Sequence, residues 1–324
     1  MELAGRKRMM LFSGSANPEL AEEVADLLGT PLGGVELSEF ADGEIYVRYT
    51  ESVRGSDCFV MQSHSRPINH HIMQQLLMID ALKRASAKRI TAVVPYFGYA
   101  RQDKKVMPRE PISARLMGDL FLAAGAERIV SVDLHTGQIQ GFFPEPFDHL
   151  TAIPLFLEYL IDRGNGPATV VSPDAGPRVK LAEKYARHLD APIAIVHKRR
   201  KVGAHDVSEA LDVVGEVEGR HAIIVDDIVT TAGTVCNAAE LLHAHGAETI
   251  TVVATHGVLS PPAVDRLKNA PIQEVVIANT LPVPEEAREL DKLRVLSVAP
   301  IVADALKAIF METSVSEIFL GENF

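Results

Sequence analysis

The segment HAIIVDDIVTTAGT, residues 221–234, opens with an apolar run long enough to form a strand that is buried on both faces. Strands of this kind are typical of parallel sheets covered by helices. The run ends on two adjacent carboxylates, Asp226 and Asp227. Because burying an unpaired carboxylate is costly, the pair predicts a solvent-facing rim at the end of the strand, with a partner for its charge.

Two matched pairs of segments indicate that the chain is duplicated around such strands. LAEEVADLLGTPL at 20–32 matches LAEKYARHLDAPI at 181–193, and ASAKRITAVV at 85–94 matches HGAETITVVA at 245–254. Both pairs are about 160 residues apart. Each half also alternates apolar strands with amphipathic helices, which predicts a parallel sheet with helices on both faces.

Length and composition indicate a globular protein with two domains. The 324 residues are too many for one typical domain. Hydrophobic residues make up 47% and charged residues 23%, as in average folded chains. We expect an α/β protein with domains at residues 1–150 and 151–324, each a mainly parallel sheet flanked by helices. The closing segment is a candidate for packing back onto the first domain.

The composition also disfavours several classes of function. No apolar run approaches the roughly 18 to 20 residues needed to span a bilayer, and the apolar core of MELAGRKRMMLFSG is too short for a signal peptide. Cys58 and Cys236 lack the spacing of metal ligands. A formal net charge of -11 argues against a general nucleic-acid binder. We therefore expect a cytoplasmic protein with no nucleic-acid or membrane partner.

The loop TTAGT at residues 230–234 predicts a phosphate site. It supplies hydroxyls, backbone amides and a glycine just before the apparent helix VCNAAELLHAHG, whose positive end favours an anion. Asp226 and Asp227 would repel phosphate, so we expect them to face sugar hydroxyls or a magnesium ion. A phosphorylated sugar satisfies both requirements. An ordinary helix start, with a threonine as N-cap and solvated aspartates, is the alternative.

Two further predicted strands end on residues suited to a cation. ERIVSVDLHTG ends on Asp133 and His135, and VVSPDAG places Asp174 just after a strand. Together they are candidates for holding magnesium on a nucleotide, with water completing the shell. A hydrogen-bonded histidine at a strand end is the alternative for His135.

Three loops carry residues suited to a nucleotide. VPYFGYARQDKK brings Arg101 and Gln102 after a strand, and the planar fork of arginine suits polyphosphate oxygens. HKRR at 197–200 precedes a polar stretch with glycine that would serve as a lid, bringing cations to a transferring phosphoryl group. FADGE at 40–44 predicts a hairpin turn, on which Phe40 is a candidate for stacking on a base. For the two basic stretches, a solvated surface is the alternative.

Six motifs, in their order and spacing, resemble those of ribose-phosphate pyrophosphokinases. They are FADGE, MIDALKRASAKRI, FGYARQDKK, VDLHTGQIQGFF, HKRR and VDDIVTTAGT, and the likeness extends over essentially the whole chain. The resemblance implies two tandem phosphoribosyltransferase-type domains. It also implies transfer of the β,γ-diphosphoryl group of Mg-ATP to the anomeric hydroxyl of ribose 5-phosphate, with release of AMP.

The resemblance further implies roles for individual residues. The residues for ATP are Phe40, Asp42, Gly43, Glu44, Arg101 and Gln102. Those for ribose 5-phosphate are Arg200, Asp226, Asp227, Thr230, Thr231, Ala232, Gly233 and Thr234. Lys198 and Arg200 match the catalytic lid residues, and His135 and Asp174 would bind Mg²⁺. In this family the ATP group reaches in from a neighbouring subunit, so the resemblance implies a homo-oligomer, typically a hexamer, with the active site at an interface.

Some positions depart from the family pattern. Thr230 stands where many members have aspartate, and Pro177 stands where paired glycines are common. Met107 and Pro108 replace polar or basic residues beside a regulatory site, which predicts altered regulation by phosphate and ADP. Two other functions compete with the kinase: a phosphoribosyltransferase acting on a base, which leaves the second domain without a role, and a catalytically silent regulatory subunit.

Overall fold

The computed structural model describes residues 7–164, 166–176, 178–199 and 210–316. The chain forms two compact units. The first comprises the described residues up to Thr151, Thr280–Pro282, and the chain from Ser297 to the last described residue; the second comprises Ala152–Asn279 and Val283–Leu296.

The first unit is built on a parallel sheet. Its elements in the described chain are β1 (Met9–Ser13), α1 (Pro18–Leu28), β2 (Val35–Glu39), β3 (Ile45–Tyr49), β4 (Asp57–Met61), α2 (Ile68–Arg84), β5 (Arg89–Val94), α3 (Ser113–Ala124), β6 (Arg128–Val132), a 3-10 helix (Gly137–Phe142) and β7 (Phe147–Leu150). The strand order is β1-β4-β5-β6-β7, with every neighbouring pair parallel. All five residues of β4 are buried, as expected for a strand covered on both faces.

The second unit repeats this plan with a longer sheet. Its elements are α4 (Ile153–Arg163), β8 (Ala168–Ser172), α5 (Arg178–Leu189), β9 (Ile193–Arg199), β10 (Ala210–Val214), β11 (His221–Val229), α6 (Gly233–Ala244), β12 (Thr249–Gly257), α7 (Ala263–Asn269), β13 (Glu274–Ala278), α8 (Glu285–Arg288) and β14 (Leu293–Leu296). The strand order is β10-β9-β8-β11-β12-β13-β14, and the β9–β10 pair is antiparallel. The expected α/β fold with mainly parallel sheets flanked by helices is confirmed.

The two units share one order of elements. The series β1-β4-β5-β6-β7 of the first corresponds to β8-β11-β12-β13-β14 of the second. The matched sequence segments fall on corresponding elements, since one pair covers most of α1 and α5 and the other covers β5 and part of β12. The units differ in the inserted strand pair: β2 and β3 form a separate two-stranded sheet, whereas β9 and β10 extend the main sheet.

The closing helix, α9 (Ala299–Met311), belongs to the first unit. It packs against α1, and its buried face is made of small and branched apolar residues such as Val302 and Leu306. Beyond its end, Glu312 accepts from Lys7 Nζ at 2.9 Å and from Arg89 at 3.1 Å. Apolar burial and these ion pairs tie the segment to the first unit.

A buried histidine follows β4 in the first unit. His64 is 1% exposed, and burial lowers its pKa to about 4, although a hydrogen bond with Gln75 opposes this. The folded protein therefore holds His64 neutral at a pH where the unfolded chain protonates it. The stability that His64 contributes is complete above its ordinary pKa of 6.5 and is lost as the pH falls toward about 4.

We expect this difference to remove up to about 2 to 3 kcal/mol from the free energy of unfolding across that window. Urea unfolding of wild type and His64→Asn at several pH values measures it. The variant lacks the titrating imidazole, so its free energy of unfolding should fall less steeply on acidification. Equal slopes for the two proteins would show that His64 does not cause the acid sensitivity.

Candidate functional site

The acidic pair lies inside β11, and α6 begins six residues after Asp227. β11 is paired with β8 on one side and β12 on the other, and it continues past Asp227 to Val229. Asp226 is only 5% exposed. The expectation that the strand ends on both aspartates at a solvent-facing rim is therefore wrong for Asp226, because ladder pairing with β12 extends the strand beyond the pair.

The partner for this charge is Arg178, the first residue of α5. Its guanidinium pairs with Asp226 through Nε, with Asp174 at 2.7 Å and with Asp227 at 3.3 Å. A cation is unfavourable at a helix N-terminus, so the carboxylates, and not the helix, account for its position. Sequence reasoning did not single out Arg178; its spacing of four residues from Asp174 was the available signal.

Burial and neighbouring charges shift the pKa values of this cluster. Burial, followed by the neighbouring Asp227, raises the pKa of Asp226 to about 7 although Arg178 opposes the shift. Burial also acts to lower the pKa of Arg178, but the three carboxylates outweigh it and raise that pKa, so the guanidinium keeps its charge. Among the described residues, the guanidinium of Arg178 is shared by three carboxylates. The cluster can therefore accept a further cation or a proton.

The loop after β11 has the geometry of an anion site. Ala232, the residue before α6, has a left-handed backbone with φ 59° and ψ 3°, and no side chain caps the helix. The alternative of a threonine N-cap is therefore not what the structure has. A left-handed residue next to helical ones turns successive backbone N–H groups toward one point, and the positive end of α6 adds to their attraction for an anion. Arg266 holds the loop by donating to the Thr231 carbonyl at 2.9 Å.

The sheet topology explains why the acidic cluster and this loop are neighbours. Strands β8 and β11 are neighbours in the sheet. From β8 the chain passes to β9, which lies on one side of this pair, and from β11 it passes to β12, which lies on the other side. The crevice outside the carboxyl ends of two such strands is the usual ligand site of an open α/β sheet. Asp174 follows β8, and the loop 230–232 follows β11.

The segment FADGE forms the hairpin turn expected between β2 and β3. Gly43 has φ 91°, and its N–H donates to the Phe40 carbonyl at 2.9 Å. Asp42 accepts from the Glu44 N–H at 3.2 Å. Phe40 is 56% exposed and meets Tyr46 edge to face, with 5.9 Å between ring centroids. An exposed ring held at a hairpin tip can stack on a base.

The segment after β5 places Arg101 and Gln102 at the surface of the first unit. The Gln102 side chain accepts from Ser113 at 2.7 Å, at the start of α3. The next residue, Asp103, is buried and accepts from Thr136 at 2.7 Å and from Gln138 at 2.6 Å. These bonds join the segment to the loop that carries His135. Sequence reasoning missed Asp103, because its partners lie more than thirty residues away.

Comparison with known proteins identifies the family. Family models match the N-terminal domain of ribose phosphate pyrophosphokinase over residues 9–125 and the phosphoribosyl synthetase-associated domain over residues 196–320. A ribose-phosphate pyrophosphokinase of Streptomyces avermitilis is 56% identical over 98% of this chain and 98% of its own length. The chain belongs to the ribose-phosphate pyrophosphokinase family. The resemblance inferred from the motifs is thereby confirmed.

Two further relatives agree with this membership. A ribose-phosphate pyrophosphokinase of Corynebacterium glutamicum is 52% identical over 98% of this chain and 97% of its own length. The crystal structure of phosphoribosylpyrophosphate synthetase from Mycobacterium smegmatis is 50% identical and has a TM-score of 0.89, covering 94% of this chain and 100% of that one. The likeness to the ribose-phosphate pyrophosphokinase family thus extends over nearly the whole chain and its fold.

The roles that the resemblance implies for several residues stay predictions. His135 lies in the first unit and Asp174 in the second, so their joint role in binding magnesium stays a prediction. Within the described residues, no group of three or more His, Cys, Asp or Glu side chains is arranged as a metal site. The side chain of Lys198, the whole of Arg200, and Pro177 lie outside the described residues.

None of the described helices combines the length and apolar character needed to cross a membrane.

Proposed function

We propose that this protein is a ribose-phosphate diphosphokinase. It would transfer the β,γ-diphosphoryl group of Mg-ATP to the anomeric hydroxyl of ribose 5-phosphate, giving 5-phosphoribosyl 1-pyrophosphate and AMP for nucleotide biosynthesis. The observation that carries the proposal is the 56% identity, over nearly the full length of both chains, to a relative named ribose-phosphate pyrophosphokinase.

The second unit provides the site for ribose 5-phosphate. The backbone amides of loop 230–234 and the hydroxyls of its threonines bind the 5-phosphate at the positive end of α6. Asp226 and Asp227 accept hydrogen bonds from the ribose hydroxyls. This arrangement separates the anionic phosphate from the carboxylates, and it is supported by the left-handed Ala232, which turns the loop amides toward one point.

Magnesium is the implied metal, and the residues present fit it. Carboxylate oxygens are ligands that Mg²⁺ prefers, and it commonly keeps several waters. A divalent cation would add positive charge beside the three carboxylates that share Arg178. Asp174 and His135 would hold the ion, with His135 acting through its imidazole or through a bound water. When bound, magnesium neutralises charge on the phosphoryl oxygens.

The first unit provides the residues for ATP. Phe40 stacks on the base, the turn residues Asp42, Gly43 and Glu44 contact the nucleotide, and Arg101 and Gln102 bind the polyphosphate. Lys198 and Arg200 bring positive charge to the transferring group. Attack at the β-phosphorus builds negative charge on its oxygens, so positioning and charge neutralisation supply most of the rate enhancement without a covalent intermediate.

A homo-oligomer completes this proposal. The family pattern implies that the ATP residues reach the site of a neighbouring subunit, typically within a hexamer. Ile112, Leu116 and Leu120 recur every fourth residue and are exposed along one face of α3 and its start. Exposed apolar stripes of this kind commonly mark subunit contacts. A cytoplasmic location and altered regulation by phosphate and ADP remain predictions from the sequence.

Phosphorus NMR of the purified protein with ribose 5-phosphate, ATP and magnesium tests the proposal. We expect signals of AMP and phosphoribosyl pyrophosphate to appear together, because one diphosphoryl transfer generates both. Omission of ribose 5-phosphate is the control, and AMP should then be absent. No turnover across phosphate and metal concentrations would favour the silent regulatory subunit. Consumption of phosphoribosyl pyrophosphate with a purine base would favour a phosphoribosyltransferase.

A further inference from the structure

A chain of buried hydrogen bonds ends on the loop that carries Arg101 and Gln102. The Gly98 N–H donates to His64 Nδ1 at 2.9 Å, and His64 Nε2 lies 3.0 Å from Gln75 Oε1. The Gln75 amide nitrogen donates to the carbonyls of Val60 at 2.9 Å and Val93 at 3.3 Å. Because those two bonds identify Oε1 as the acceptor, His64 must carry its proton on Nε2.

The imidazole of His64 is held tightly by its surroundings. It stacks on Phe121 with 5.9 Å between ring centroids and an interplanar angle of 14°, and it also contacts Phe97. A Cβ atom added to Gly98 would lie 3.0 Å from His64 Cβ, so a larger residue would push the loop backbone and the imidazole apart by a few tenths of an ångström. The start of the loop and the imidazole therefore cannot move apart without leaving a buried N–H unpaired.

The geometry beyond Gly98 is defined by the loop itself. Tyr99 has a left-handed backbone with φ 62°, and the Gln102 N–H donates to the Tyr99 carbonyl at 2.9 Å. The Gln102 carbonyl in turn accepts from Ala114 at the start of α3. With its start anchored at Gly98 and its end anchored on α3, the loop has little freedom, and the direction of Arg101 depends on both anchors.

We propose that His64 is a positioning residue for nucleotide binding, which it supports by anchoring the loop 97–102 through the Gly98 N–H. The proposal rests on the proposed function, because that function assigns ATP to Arg101 and Gln102. His64 itself is buried beneath the loop and does not touch the substrate. It acts as a neutral acceptor at Nδ1 and a donor at Nε2, and the bond that matters for the loop is the one at Nδ1.

Three substitutions separate these two bonds. His64→Asn places a side-chain oxygen near the position of Nδ1 and can keep the bond to Gly98. His64→Gln places its polar atoms near Nε2 and can keep only the contact with Gln75. His64→Leu keeps neither. If His64 served only in packing, all three variants would be less stable than wild type, and the KM for ATP and the KM for ribose 5-phosphate would change alike.

We expect the KM for ATP to rise about tenfold in His64→Leu and His64→Gln, because a buried donor is left unpaired and the loop loses its anchor. The KM for ribose 5-phosphate should stay near the wild-type value, and His64→Asn should restore the KM for ATP. Equal changes in both KM values, or a failure of asparagine to restore ATP binding while glutamine does, would overturn the proposal.

A measurement that does not need turnover distinguishes failure of this inference from failure of the proposed function. Hydrogen–deuterium exchange of the intact protein, followed by mass spectrometry of peptides that cover residues 96–103, reports on the loop directly. Exchange should be slow in wild type and His64→Asn and faster in His64→Leu and His64→Gln. If the loop is equally protected in all four proteins, His64 does not anchor it, whatever reaction the wild type catalyses. If it responds as expected in a protein that makes no phosphoribosyl pyrophosphate, only the proposed function fails.

Discussion

Replacing Arg178 with methionine is expected to lower the free energy of unfolding of the second unit by about 3 to 5 kcal/mol. Methionine keeps much of the length of the side chain but removes the guanidinium that pairs with Asp174, Asp226 and Asp227. Asp226 then stays in the interior without its cation and must either remain charged or take up a proton, because burial already raises its pKa to about 7; either state is costlier than the intact pair. Urea unfolding of wild type and Arg178→Met at neutral pH measures the loss.

Two controls show whether the buried charge is the cause. Arg84→Met breaks an ion pair with Asp80 that has the same four-residue spacing but lies at the surface, where solvent screens both charges, so its effect on stability should be far smaller than that of Arg178→Met. Adding Asp226→Asn to Arg178→Met removes the unpaired charge and should recover much of the lost stability, as a double-mutant cycle would reveal. A loss in Arg178→Met no larger than that in Arg84→Met would mean that Arg178 is not the partner of the acidic pair.

The second large effect is expected on turnover. Lys198→Ala should lower kcat for phosphoribosyl pyrophosphate formation by about 10²- to 10³-fold, the usual loss when one group that stabilises transition-state charge is removed. The KM for ribose 5-phosphate should change much less, because loop 230–234 and the aspartates bind that substrate. Phosphorus NMR time courses of AMP release give both parameters.

An exposed lysine of α9 provides the matched control for this experiment. Lys307 is exposed and is not among the residues assigned to either substrate, so Lys307→Ala, which removes the same charge, should leave kcat unchanged. If both lysine variants turn over like wild type, Lys198 has no catalytic role, and the assignment of HKRR to the catalytic lid is wrong. If wild type is active and only Lys198→Ala is slow, the assignment is supported.

The sequence predicted much of the fold because its signals are local. Buried strands appear as apolar runs, as in HAIIV of β11, and amphipathic helices appear as a repeating apolar face, as in α1. The segment pairs at 20–32 and 181–193 reported the duplication without any structure. Asp-Gly between two short strands likewise predicted the hairpin at 40–44.

The details of the candidate site were harder to predict, because they depend on pairing between distant segments. The sequence placed the end of β11 too early. Pairing with β12 extends the strand to Val229, and β12 comes after α6 in the chain. The sequence allowed a threonine as the N-cap of α6. In the structure the residue before α6 is Ala232, whose backbone is left-handed, and no side chain caps the helix. Asp103 was missed because its partners Thr136 and Gln138 come from another loop.

The sequence by itself determined the fold class, the duplication and the family, since each of these depends on residue types at short or fixed spacings. Only the tertiary structure decided that Arg178 is the partner of Asp174, Asp226 and Asp227, and that His64 accepts a hydrogen bond from Gly98. The physical reason is that parallel strands bring their carboxyl ends together at one edge of a sheet, however far apart they are in the chain. Burial there then makes each charge and each hydrogen bond depend on its spatial neighbours.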